Sequence, residues 1–186
     1  MHPNPLPSAA SAPTPERHLS RREAALALTL APCLPLWPAA AQAQAAAPKV
    51  PVVLTVSGKV KSPPGRVDFD MAALAAMSQH HHTTATPWYR EARKFSGPLL
   101  RDVLAAAGAQ GQTLRAIALN DYRVDIPVAD VQRFGVILAR LLDDQPMPVR
   151  QKGPLFVMYP FADHAELRNA VYYSRCAWQL KAIEVV

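Results

Sequence analysis

The sequence predicts an α+β domain with a mixed, barrel-like β-sheet core and a few short helices. Three observations carry this. Short apolar or β-branched runs recur along the chain, bounded by Gly, Pro, Asn and Asp. Helical periodicity is confined to brief stretches, the clearest over Pro98–Ala107. The two kinds of segment do not alternate regularly, which favours α+β organisation.

Residues 1–43 read as an export signal and residues 44–186 as one domain of ordinary length. Arg21-Arg22 precede the apolar run Ala24–Ala31, and Ala41-Gln42-Ala43 or Ala43-Gln44-Ala45 supplies an Ala-x-Ala cleavage site near residues 43–45. Ser20-Arg21-Arg22 matches twin-arginine export in part, because Glu23 and two alanines follow it. Pro32, Pro35 and Pro38 break the apolar stretch, so no stable membrane span is expected. The predicted location is periplasmic or secreted after signal removal.

Within the domain, Val52–Val56 followed by Gly58 is a β-branched run and predicts a strand. Asp68 or Asp70 caps a short helix over Asp70–Met77. His80–Trp88 is Thr-rich and extended, and Lys94–Ser96 is a short strand. In Pro98–Ala107 the proline fits the first turn, Leu99, Leu100, Val103 and Leu104 make an apolar stripe, and Gly108 fits the stop. Leu114–Leu119 and Arg123–Ile126 flank an Asn120-Asp121-Tyr122 turn, and Val128–Arg133 is a helical turn or two. Val136–Leu141 and Leu155–Tyr159 are short enough for buried strands, Glu166–Val171 is helical, and Ala177–Val185 closes the chain as a strand.

The chain carries a net charge of +6, with basic residues spread rather than clustered. A nucleic-acid surface would interleave clustered cations with stacking aromatics, so nucleic acid is not an expected partner. His80-His81-His82 attracts attention as a metal site. On a strand only His80 and His82 share a face, and further ligands would have to come from residues such as Asp163 or His164. The run therefore reads as a solvated segment, and no metal-ligating set is predicted. Of the two cysteines, Cys33 falls in the export signal. Cys176, at what reads as a strand entry, is expected to be a buried small hydrophobe.

Several pieces stand in a recognisable order. Leu54-Thr55-Val56-Ser57-Gly58 leads to Phe69–Leu74, then to Gly97-Pro98-Leu99-Leu100-Arg101-Asp102-Val103-Leu104 and Asn120-Asp121-Tyr122. Ile126-Pro127-Val128, Gln145-Pro146-Met147-Pro148, Gly153–Pro160 and Trp178–Val185 complete the series. This succession resembles the molybdopterin-binding domain of the sulfite oxidase family, in a small stand-alone exported form. The resemblance implies a molybdenum–molybdopterin cofactor in a basic, loop-lined pocket. It places Thr84, Thr86, Trp88, Asn120, Tyr122, Ser174, Arg175 and Lys181 near that pocket, with Arg175 and Lys181 as phosphate partners.

The sequence departs from the family pattern at two points. The place of the metal-ligating cysteine falls at Thr84-Ala85-Thr86, where no thiolate is available, and this counts against the molybdenum cofactor. Phe156 stands where the family carries a phosphate-gripping arginine. Two expectations follow: a molybdopterin-dependent oxidoreductase domain, or a non-catalytic periplasmic module of the same fold. The second would bind a small anion or a partner protein such as a periplasmic redox or sensor protein. Catalytic residues are not assigned by either.

Overall fold

The computed structural model describes residues 50–186; the expected export signal lies outside the described residues. Strand β1 (Val52–Gly58) pairs antiparallel with β2 (Arg66–Asp70). Leu54 and Val56 point inward from β1 and are fully buried, as the two-residue period of a half-buried strand requires. Asp70 ends β2 and caps α1 (Met71–Ala76), its carboxylate accepting the Ala73 amide at 2.6 Å.

Strands β3 (Gln79–Thr86) and β4 (Tyr89–Pro98) form a hairpin with Pro87 and Trp88 at its tip. The chain continues through α2 (Leu100–Ala106), β5 (Thr113–Ala118), β6 (Arg123–Pro127) and α3 (Val128–Arg133). Short strands β7 (Ile137–Ala139), β8 (Leu141–Leu142) and β9 (Gln145–Pro146) follow. A 3-10 turn at Val149–Gln151 precedes β10 (Phe156–Met158), and another at Ala165–Leu167 precedes α4 (Ala170–Arg175). Strand β11 (Leu180–Val185) closes the chain.

The main sheet has the order β2-β1-β11-β5-β6, with β1 and β11 parallel and the other neighbours antiparallel. A second sheet runs β3-β4-β8-β9, and β7 pairs with β10. The core between these layers gathers Leu54 from β1, Phe95 from β4, Leu100 from α2, Leu138 from β7 and Phe156 from β10, all fully buried. The mixed sheet and short helices agree with the sequence reading.

The barrel-like core does not. Closure would require the outer strands to pair with one another. Among the described residues β2 and β6 remain edges of one sheet, and β3 and β9 edges of another.

Three local expectations also change. The strand foreseen at Lys94–Ser96 is the inner part of a ten-residue β4, extended by its pairing with β3. Pro98 belongs to that strand and not to a helix, since Gly97 and Pro98 oppose His80 and Gln79; Leu99 becomes the helix cap, and Val136 accepts the Leu100 amide at 2.8 Å. The single helix expected over Glu166–Val171 is divided at Asn169. Its side chain accepts the Val171 amide at 3.0 Å and starts α4 afresh.

Gly97 marks the closest crossing of β4 and β7. A Cβ there would lie 1.9 Å from the Leu138 carbonyl oxygen, a backbone atom that cannot step aside. Gly97→Ala is therefore expected to cost about 3 kcal/mol. Chemical denaturation should show a lower midpoint with an unchanged slope; an unchanged midpoint would refute this packing.

Candidate functional site

Three aromatic side chains from separate elements meet around one cavity. Trp88 comes from the β3–β4 tip, Tyr173 from α4 and Trp178 from the segment entering β11; together they wall a space of about 450 Å³. Their rings are mutually tilted or edge-on, with Trp88 5.7 Å from Trp178 and 6.1 Å from Tyr173. These are the favoured geometries for aromatic quadrupoles. Phe156 lies behind them, fully buried, 5.3 Å from Trp88 and 6.0 Å from Trp178. The residue that stands in place of the family's arginine thus completes an aromatic cluster.

Asn120, Tyr122 and Ser174 are exposed members of the same lining and add polar groups to it. Asn120 accepts the Tyr122 amide at 3.2 Å, closing a turn in which Asp121 takes the left-handed conformation. The Tyr122 hydroxyl donates to the Ser174 carbonyl at 3.1 Å and ties the β5–β6 turn to α4. The residues lining this cavity include no acid and no Lys, Arg or His.

The basic residues nominated by sequence are engaged elsewhere. Arg175 donates to Asp130 at 2.7 Å, and the Tyr159 hydroxyl donates to the same carboxylate oxygen at 3.0 Å. Burial and the Asp130 charge push the Tyr159 phenol well above its ordinary range. The Arg175 guanidinium also lies 5.2 Å from the Tyr172 ring centroid. Lys181 donates to Asp121 at 2.8 Å, and that contact holds the exposed carboxyl below its usual range. A register slip between Leu180 and Ala182 makes Lys181 the extra residue of β11. Such a bulge re-aims the side chain it carries.

Thr84 and Thr86 are buried on the last turns of β3, beside a second depression that shares Pro87 and Tyr173 with the aromatic cavity. The Thr84 hydroxyl donates to the Ala85 carbonyl at 3.3 Å, whereas among the described residues the buried Thr86 hydroxyl has no partner. Four nominated residues, Trp88, Asn120, Tyr122 and Ser174, therefore converge on one cavity. Thr84 and Thr86 adjoin it, and Arg175 and Lys181 are not in its lining.

Sequence reasoning missed Tyr173, Trp178 and Cys176 as lining residues. Tyr173 and Trp178 sit on opposite sides of the α4-to-β11 turn, and no periodicity marks that turn. Cys176 does not enter a strand but caps α4. It is 1% exposed, and burial pushes its thiol up to about 12, with the Tyr159 backbone pulling weakly the other way. Among the described residues no group of three or more metal-ligating side chains occurs. His82 instead hydrogen-bonds the Gly135 carbonyl at 2.9 Å, and burial holds its ring below the ordinary histidine value.

The arrangement is an aromatic-walled cavity on an α+β scaffold, and comparison with known proteins adds a likeness of fold alone. No family model and no curated protein matches the chain. Among solved structures, sulfane dehydrogenase SoxCD from Paracoccus pantotrophus superposes with a TM-score of 0.52 at 14% identity. The match covers 71% of this chain and 37% of that one, so this chain spans well under half of its structural neighbour.

Two outcomes follow from the site's chemistry. At pH 8 the Cys176 thiol should resist iodoacetamide in the native protein and react readily once the chain is unfolded in urea, because folding holds it protonated and covered. Rapid native labelling at Cys176 would contradict the geometry. Arg175→Ala strands the Asp130 carboxylate, which is 9% exposed. The expected cost is about 2–3 kcal/mol, discounted from the 3–5 of a fully buried pair, and it is read as a fall in melting temperature.

Proposed function

We propose that this domain is a non-redox ligand-binding module of the sulfite oxidase-type fold, acting outside the cytoplasm after export. Its aromatic cavity holds a small, uncharged, mainly apolar molecule. The observation that carries this reading is a lining without charged side chains among the described residues, built around Trp88, Tyr173 and Trp178, whose polar groups are the two indoles, the Tyr122 and Tyr173 phenols, the Asn120 amide and the Ser174 hydroxyl. Apolar walls with a few polar atoms at one side are the common pattern of small-molecule sites.

The residues present do not fit a molybdenum–molybdopterin group. A metal already held by sulfur favours a thiolate, and the Thr84 and Thr86 hydroxyls are poor substitutes. Cys176 is kept as a thiol by its burial. The two cations expected to grip a cofactor phosphate are already engaged, Arg175 by Asp130 and Lys181 by Asp121. Phe156 has no charge to offer. The oxidoreductase reading keeps one observation in its favour, the fold likeness to a sulfane dehydrogenase.

Metal and pterin analysis of protein purified from cofactor-competent cells separates the two, and neither is expected above trace. Benzyl alcohol, an aromatic body with one hydroxyl, then serves as a probe in an NMR titration. Saturable shifts at the Trp88 and Trp178 indole N–H groups are expected, weakened about tenfold or more by Trp178→Ala. Stoichiometric molybdenum with pterin would overturn this reading in favour of the oxidoreductase.

A further inference from the structure

We propose that a second site, on the Val149–Lys152 turn, binds a small organic oxyanion. The site is a cavity of about 320 Å³ lined by Tyr89, Arg93, Leu142, Arg150, Gln151 and Lys152. Three of these six residues are cationic, and their charges are answered unequally. Arg93 is paired with Asp143. Among the described residues, neither Arg150 nor Lys152 has a carboxylate within ion-pair distance. Two uncompensated like charges facing one small concavity raise each other's energy, and an anion between them removes that cost.

Lys152 is also held in place before any ligand arrives. Lys152 occupies the left-handed backbone region at φ 71°, which is unfavourable for a non-glycine residue and persists only where its surroundings impose it. Three contacts impose it here. The Lys152 carbonyl accepts the Gln179 amide at 3.0 Å. The Gln179 side chain donates to the Val149 carbonyl at 2.8 Å. Gly153 passes so close to Met147 that a Cβ would lie 1.8 Å from its carbonyl oxygen. The Lys152 ammonium then rests 4.5 Å from the Trp178 ring centroid, where the ring's quadrupole steadies it without neutralising it.

This arrangement names the ligand class. Arg150 offers a planar fork suited to a carboxylate or phosphoryl group, Lys152 a point charge, and Gln151 and Tyr89 neutral donors. The concavity leaves room beside the oxyanion for an organic body, as a phosphate monoester or a polycarboxylate carries. The site does not depend on what fills the aromatic cavity.

Inorganic phosphate and citrate test it separately on the full chain by NMR at constant ionic strength, with chloride as the screening control. Saturable binding of at least one is expected, with the Trp178 indole N–H moving as the anion engages Lys152. A response to phosphate alone assigns a phosphoryl ligand, and to citrate alone a carboxylate ligand. Arg150→Ala with Lys152→Ala should weaken binding about tenfold or more, whereas Arg101→Ala on α2 should leave it unchanged. Circular dichroism confirms that the variants fold. Shifts no larger than those with chloride, or binding retained by the double variant, would overturn the proposal; if the double variant fails to fold, Lys152→Gln alone carries the same comparison.

Discussion

The segment from Cys176 to Leu180 is stitched on both sides, and both cavities depend on that stitching. The Val157 amide donates to the Ala177 carbonyl and the Leu180 amide to the Leu155 carbonyl, each at 3.0 Å. From the other side, Leu119 donates to Gln179 at 2.8 Å. Gln179 itself takes a left-handed conformation, φ 52°, which lets one short stretch satisfy partners from β5 and from the Val149–Lys152 turn. Trp178 sits inside this stretch. Its ring is a wall of the aromatic cavity and the platform for Lys152.

Charge placement follows the same division of the molecule. Asp130 is the buried acid that two donors need, and it draws Arg175 away from the aromatic cavity while fixing the end of α4. Asp121 draws Lys181 toward the β5–β6 turn. With these cations engaged, the space beside Trp88 is apolar, and Phe156 fills the cluster behind it. A buried phenylalanine in that surround contributes roughly 2–3 kcal/mol through its apolar area. An unpaired arginine at the same position would instead face a desolvation cost of several kcal/mol.

Much of the fold was legible because its strands alternate or run apolar in ways that only burial explains. Leu54 and Val56 on β1, and Leu114, Ala116 and Ala118 on β5, show the period directly. What was illegible is non-local. Whether β2 and β6 meet decides barrel against open sheet, and nothing within either strand records its missing neighbour. The Asn169 cap splits a helical stretch that looks continuous, because Asn carries little penalty in a sequence pattern yet competes strongly for the next amide. For the site, Trp88, Asn120, Tyr122 and Ser174 were nominated through the order of family-like segments. Tyr173 and Trp178 were not nominated, since an aromatic that walls a cavity and one that fills a core have the same sequence signature. Arg175 looked available as a cation until the fold supplied Asp130 from forty-five residues upstream.

Because the Trp178 indole walls one cavity and touches Lys152, which lines the other, occupancy of either proposed site bears on the other. A ligand pressed against the cavity face of Trp178 would limit how that ring can tilt, and an anion drawing Lys152 outward would weaken its contact with the same ring. The Lys152–indole contact is partly exposed, so its strength is about 0.5–1 kcal/mol. That bounds the coupling between the sites to a factor of roughly two to five, equal in both directions by linkage. A larger coupling would need the Val149–Lys152 turn itself to move. The Gly153–Met147 approach and the Gln179 bonds oppose that motion, since each ties the turn to backbone atoms rather than to mobile side chains. The two proposed sites are therefore mechanically close and energetically nearly independent, and binding at both would need no conformational switch.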